Sequence, residues 1–347
     1  MYNGDFDYYE KEYNRHVAYS LAVVKAEDLF YEFVKRAGSY QLTRDERDFE
    51  AVQSILRELT NISELYHGHR LFVLYNLVRI YYLCLFTSRV ETLKALEIEV
   101  DSILQQIRKH FEKYELDTFY QGVRFLVDFL YFEYYQRTGN QVRADHYYSM
   151  INKQVPDIAF KPAFSFYVTE FLNSKVARFL ATRDTQQLLD LNAELESNFD
   201  VDVNEPYPYI SFQRFNAIGK FYQQDFAGAA RIINNLRNET SLKKFLFTDV
   251  EYKLFQAMQY CFQGEDGLCN QLLQSVKRQI VENDNNYQPA LHLIKMLKAA
   301  IKPEEFRKKV KKLTELNEQF RQVNQGAHRM FWYIQLDEQM IRRMANP

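Results

Sequence analysis

The stretch Phe215-Asn-Ala-Ile-Gly-Lys-Phe-Tyr222, followed by Gln-Gln-Asp and then Phe226-Ala-Gly-Ala-Ala-Arg-Ile-Ile233, decides the fold class. Apolar residues recur three and four apart on both sides of a short polar joint, which is the spacing of two amphipathic helices in a hairpin. Gly219 on the first helix and Ala229 on the second are small where the two must touch, so large neighbours such as Phe215 and Phe221 can fill the space around them. The next stretch repeats the plan, with Ala257, Tyr260, Gly264 at the joint, then Cys269 and Leu273.

Phe215-x2-Ile218-Gly219-x2-Tyr222 with Ala229-x3-Ile233 resembles the tetratricopeptide repeat, whose first helix carries Trp-x2-Leu-Gly-x2-Tyr and whose second carries Ala-x3-Phe. An earlier unit has Tyr131-Phe132-x2-Tyr135, Gly139, Ala144-x3-Tyr148 and Pro156, and a further one has Phe179, Asp184, Leu188 and Leu195. The departures are Phe215 and Lys253 in place of the Trp, Phe132 in place of the small residue, and a period of 38 to 44 residues. The resemblance covers roughly residues 120–280 and implies an all-α fold, an α-solenoid of antiparallel hairpins. It also implies a concave face that contacts an extended peptide. Carried onto this chain, that groove includes Glu133, Asn173, Gln213, Asn216, Lys220 and Met258. Amides donate and accept while a Lys donates with charge, so the set suits peptide backbone or a carboxylate. The plainer reading of the same residues, and the one the sequence favours, is the polar side of exposed helices.

Working outward, residues 1–115 read as an N-terminal helical bundle or divergent repeats. Residues 116–197 and 209–281 carry the hairpins, 198–208 is a Pro-containing acidic linker or hinge, and 282–347 are capping helices. One helix is expected over 7–37, ending before Gly38, and others near 63–86, 90–115, 303–324 and 327–344. Thr43-x2-Glu46 and Thr248-x2-Glu251 have the spacing of capping boxes that open helices. The 26 Tyr and 28 Phe suit inter-helix packing, and only 10 Gly and 7 Pro interrupt the 347 residues.

Composition narrows function by exclusion. A net charge of −2 argues against a whole-surface nucleic-acid binder, and no Gly-rich phosphate loop or nucleophile elbow occurs. Cys84, Cys261 and Cys269 have no metal-site spacing and read as reduced core thiols of a cytosol-like compartment. Asp5, Asp7, Glu10 and Glu12 near the start are unlike a signal peptide, and Asn76 and Arg79 interrupt the most apolar run, so no membrane span is expected. His67 and His69 are two imidazoles without a third ligand, and the other histidines, His328 among them, are scattered. The acidic run from Asp200 lacks the Gly and Glu of a calcium loop. Arg307 to Lys312 reads as the solvated face of an amphipathic helix, with phosphate contact as the other possibility. The reading is a non-enzymatic helical scaffold for a protein or peptide partner, without metal or cofactor. The alternative is a ligand-responsive regulator hinged at 198–208 and acting on a signalling partner, and the third reading is a helical metal enzyme resting on His67 and His69.

Overall fold

A computed structural model describes residues 3–87, 89–114, 118–158, 165–189, 195, 199, 201–282, 287–325 and 329–347. Among these residues the chain is all-helical, with no strand. In order, α1 is Asn3–Thr43, α2 Glu46–Leu65, α3 His69–Phe86, α4 Val90–Ala95, α5 Glu97–Lys113, α6 Thr118–Thr138 and α7 Gln141–Ile158. They are followed by α8 Ser165–Thr182, α9 Thr185–Leu189, α10 Pro206–Tyr222, α11 Phe226–Glu239, a 3₁₀ turn Leu242–Lys244 and α12 Leu246–Phe262. The remainder are α13 Asp266–Glu282, α14 Gln288–Ala300, α15 Phe306–Val323 and α16 Glu338–Ala345. No described helix is long and apolar enough to cross a membrane.

The chain forms two units, Met1–Gln41 with Asp45–Gln154, and Leu42–Arg44 with Val155–Pro347. The sequence grouping 116–197 is therefore divided between them. In the first unit α3 is apolar all round and buried through Leu74, Leu77, Val78 and Tyr81, as a helix enclosed by α2, α5 and α6 must be. Gly68, just before it, lies where any Cβ would meet the Tyr19 ring. Tyr131 stacks on Tyr147 at 4.4 Å, and Arg108 lies over both rings while pairing with the buried Asp128.

In the second unit α10 packs on α11, α12 on α13 and α14 on α15, and the pairs adjoin through α8 on α10, α11 on α12 and α12 on α14. Gly219, Ala229, Ala257 and Cys269 are all buried at these crossings. The joints share one device, a residue in the left-handed region: Gly139 between α6 and α7, Arg183 between α8 and α9, Gln224 between α10 and α11, and Gly264 between α12 and α13. At three of them the amide of the residue after the left-handed one, Asn140, Asp225 or Glu265, donates back to the carbonyl of Tyr135, Lys220 or Tyr260, a Schellman closure. Gly264 has φ +74 with only Pro347 near its absent Cβ, so Gly264→Ala meets no clash and its cost is conformational. We expect a loss of about 1–2 kcal/mol in urea unfolding, and a gain of about the same size for Gln224→Gly, whose φ is 64.

Several sequence expectations are corrected. Helix α1 runs through Gly38 to Thr43, because Phe33, Ala37 and Tyr40 continue one buried stripe past the glycine, and Leu42 is buried on the other side. Asp45, not Thr43, caps α2 by accepting from the Arg47 amide. Helix α12 begins at Leu246, so Thr248 and Glu251 lie inside it; the Thr248 hydroxyl donates to the Leu42 carbonyl at 2.8 Å. The single helix expected over 90–115 is broken at Leu96. Pro206 and Pro208 belong to the first turn of α10, where a missing amide hydrogen costs nothing, and Phe199 and Val201 before it are buried. The helix expected over 327–344 is confined to Glu338–Ala345. Lys309 is buried and donates to the Ala300 carbonyl, so the basic run on α15 is not solvated throughout.

Candidate functional site

The first helices of the second unit's pairs, α8, α10 and α12, carry buried charge on one side. Arg214 donates to the Asn173 side chain at 2.8 Å, Asn173 donates to the Tyr207 hydroxyl at 3.1 Å, and Tyr207 in turn donates to Glu170. Glu251 is buried on α12 beside them. A charge out of water is tolerated only when paired and hydrogen-bonded. The electrostatics follow from that rule. Burial opposes the Arg214 charge, but Tyr252, Tyr333 and Glu251 more than offset it and raise its pKa. Burial also raises the Glu251 carboxyl, against the pull of Arg214 and of the Phe331 amide. Burial and then the Glu170 carboxylate push the Tyr207 phenol well up.

What closes this face is the chain's own segment from Arg329 to Leu336, which is not helical. The Phe331 amide donates to Glu251 at 2.7 Å. Tyr222 donates to the Tyr333 carbonyl at 3.2 Å and accepts from the Gln335 amide at 3.1 Å, and burial lifts its phenol to about 12. Arg214 lies 5.6 Å from the Trp332 ring and 5.4 Å from the Tyr333 ring, and Phe255 meets Phe331 and Tyr333 edge-on or tilted. Backbone groups of a non-helical segment, which turns at Phe331, are thus read by side chains of two helices, and its rings by an Arg and a Phe. This is the chemistry of peptide recognition, made within one chain.

The residues expected to line a groove fall into two sets. Glu133 is buried in the first unit and bound by Arg137. Asn173 is spent on Tyr207 and Arg214, and Met258 is 1% exposed. Gln213, Asn216 and Lys220 remain half-buried, three and four apart on one stripe of α10. Arg214 and Tyr222 mark a different stripe, the one that receives the C-terminal segment. Sequence reasoning missed Arg214, Glu251 and the 329–336 segment. Their signal was an Arg and a Glu in the middle of apolar helices, with the chain's single Trp beyond them.

His69 stacks on Tyr114 at 4.2 Å with His110 at 5.9 Å, and burial lowers the His110 pKa. Among the described residues no group of three or more metal-ligating side chains occurs. His328 and Asp200 lie outside the described residues. Comparison with protein-family models, with curated proteins and with solved structures gives no match.

Proposed function

We propose that the chain is a non-enzymatic helical-repeat scaffold of the tetratricopeptide-like kind, acting in a cytosol-like compartment, whose α10 stripe engages a protein or peptide partner. The observation that carries the reading is the division of labour on α10: one stripe is filled by the chain's own non-helical C-terminal segment, while Gln213, Asn216 and Lys220 stay open on another. The shared left-handed joints and the small residues at the pair crossings support a repeat architecture. Among the described residues Lys220 pairs with Asp225 alone, at 3.7 Å, an exposed pair of little worth that a partner's carboxylate can replace.

The test is partner recovery from native extract with the full chain, then calorimetry of the recovered partner against Asn216→Ala and Lys220→Glu. The expected result is at least a tenfold loss for the charge reversal. Unchanged affinity removes the stripe from the site. A compact sphere by solution scattering would sink the solenoid reading.

The 329–336 segment favours a second reading, a ligand-responsive regulator in which a partner's extended aromatic peptide exchanges with that segment. A change in particle dimensions on adding a peptide of residues 329–337 supports it, and unaltered dimensions with saturating bound peptide count against it.

A further inference from the structure

Between the C-terminal end of α11, the 3₁₀ turn and α13 lies a cavity of about 540 Å³, with α12 as its floor. Four cationic side chains line it, Arg237, Lys243, Lys253 and Arg278, against two carboxylates, Asp249 and Glu282. Asp249 is already spoken for: Lys253 reaches it at 2.8 Å and Gln279 donates to it at 2.7 Å. Arg237 shares the same carboxylate at longer range, and among the described residues the remaining two cations are unmatched. The Nε of Arg237 is buried and makes no hydrogen bond, standing 3.7 Å from Asp249, outside hydrogen-bond reach, while its Nη1 donates to Gln256. Among the described residues neither Lys243 nor Arg278 has a carboxylate within ion-pair distance.

Two unpaired cations, Lys243 and Arg278, beside the partly exposed Arg237 guanidinium leave the lining with more positive than negative charge, which an anion in the cavity can neutralise. The volume sets the size of the guest. It falls in the range of small-molecule sites, about 300–1,000 Å³, and is generous for a bare tetrahedral ion. The lining sets its character. No aromatic ring borders the cavity, so nothing is offered for a base to stack on, while Ser241, Ser275 and Gln279 supply neutral donors and acceptors.

We propose that this cavity binds a phosphomonoester with a small hydroxylated body, its dianion held by Arg237, Lys243 and Arg278 and its hydroxyls by Ser241, Ser275 and Gln279. The site is separate from the α10 stripe and does not depend on it. A helix end also explains part of the positive charge in another way, since Arg237 complements the negative end of α11. The experiment distinguishes the two.

Calorimetry on the full chain would use glucose 6-phosphate, glycerol 3-phosphate, inorganic phosphate and glucose as probes, at low salt and pH 7.5. The expected result is one site for the esters, weaker binding of inorganic phosphate, and none of glucose. Affinity should fall several-fold between pH 7.5 and pH 5, as the ester takes up its second proton near pH 6. Lys243→Gln with Arg278→Gln should weaken ester binding at least tenfold, and both side chains are exposed, so the variant keeps the fold. Three outcomes overturn the proposal: no heat from either ester at millimolar concentration, ester binding untouched by the double variant, or inorganic phosphate binding as tightly as the esters.

Discussion

Truncating Arg214 to Ala should destabilise the second unit by about 3–5 kcal/mol, because it removes the stronger of the cations acting on the buried Glu251 carboxylate and empties a buried, hydrogen-bonded site. Arg214 acts on Glu251, with Arg44 as the weaker second cation, and faces the Trp332 and Tyr333 rings, and its amino group also orders Asn173. Arg214→Lys should recover part of the loss, because charge is kept while the planar stacking and the fork of donors are not. Arg214→Met with Glu251→Leu should recover more than the sum of the singles, since an apolar pair removes both uncompensated charges at once. The pH dependence gives a second reading of the same cluster. Folding raises the Glu251 pKa, so the folded chain holds that proton more tightly than the unfolded one. Its contribution to stability therefore grows as pH falls from neutrality through the raised range, and fades as pH rises. Urea unfolding from pH 7 down towards pH 4.5 should show the unmodified chain gaining on Glu251→Gln, a gap that salt screens poorly because the group is buried. Parallel curves for the two proteins would mean that Glu251 is not coupled to folding.

Phe331→Ala is expected to cost about 3–5 kcal/mol, and to act first on the C-terminal segment. Phe331 is buried against Phe255 and Tyr333 and sits at φ +52, a conformation that a bulky residue keeps only when its surroundings insist on it. The surroundings here are the two rings and the Glu251 carboxylate on its amide. Without the ring, the left-handed turn loses its anchor and the segment can leave while α8, α10 and α12 persist. Limited proteolysis should then cut between residues 325 and 337 at a temperature below the main unfolding transition. Simultaneous loss of the segment and the helices would show instead that they are one cooperative unit.

These two predictions rest on residues that local pattern does not disclose, and the contrast shows where sequence reasoning has its reach. The helical class follows from the three-and-four spacing, and Gly139 and Gly264 mark their joints because only glycine takes φ +80 or +74 freely. Arg183 and Gln224 occupy the same kind of joint unannounced, because tertiary packing imposes the conformation on them. Thr248 and Glu251 have a capping spacing, yet their partners are Leu42 and Phe331, 206 and 80 residues away. Residues 329–336 share the apolar spacing of a helix, and nothing nearby says that their amides are wanted elsewhere. For the groove, Gln213, Asn216 and Lys220 fall on one stripe as their spacing requires. Asn173 was consumed by partners on another helix, whereas the Glu133–Arg137 pair lay four residues apart and was legible in principle.

The segment that closes over Arg214 and Glu251 has a consequence for how the protein is made. Its bonds join residues 80 to 113 positions apart, so the charge cluster is assembled by chain that leaves the ribosome well after the helices it covers. At ordinary rates of synthesis, α10 and α12 wait on the order of 5 to 20 s with that face wet and open. During that interval Arg214 and Glu251 are hydrated, which keeps the waiting helices from collapsing on a dry, unpaired charge. The final seal is a timed event in the birth of the molecule, and ribosome-bound chains halted before and after residue 336 should differ in their resistance to protease.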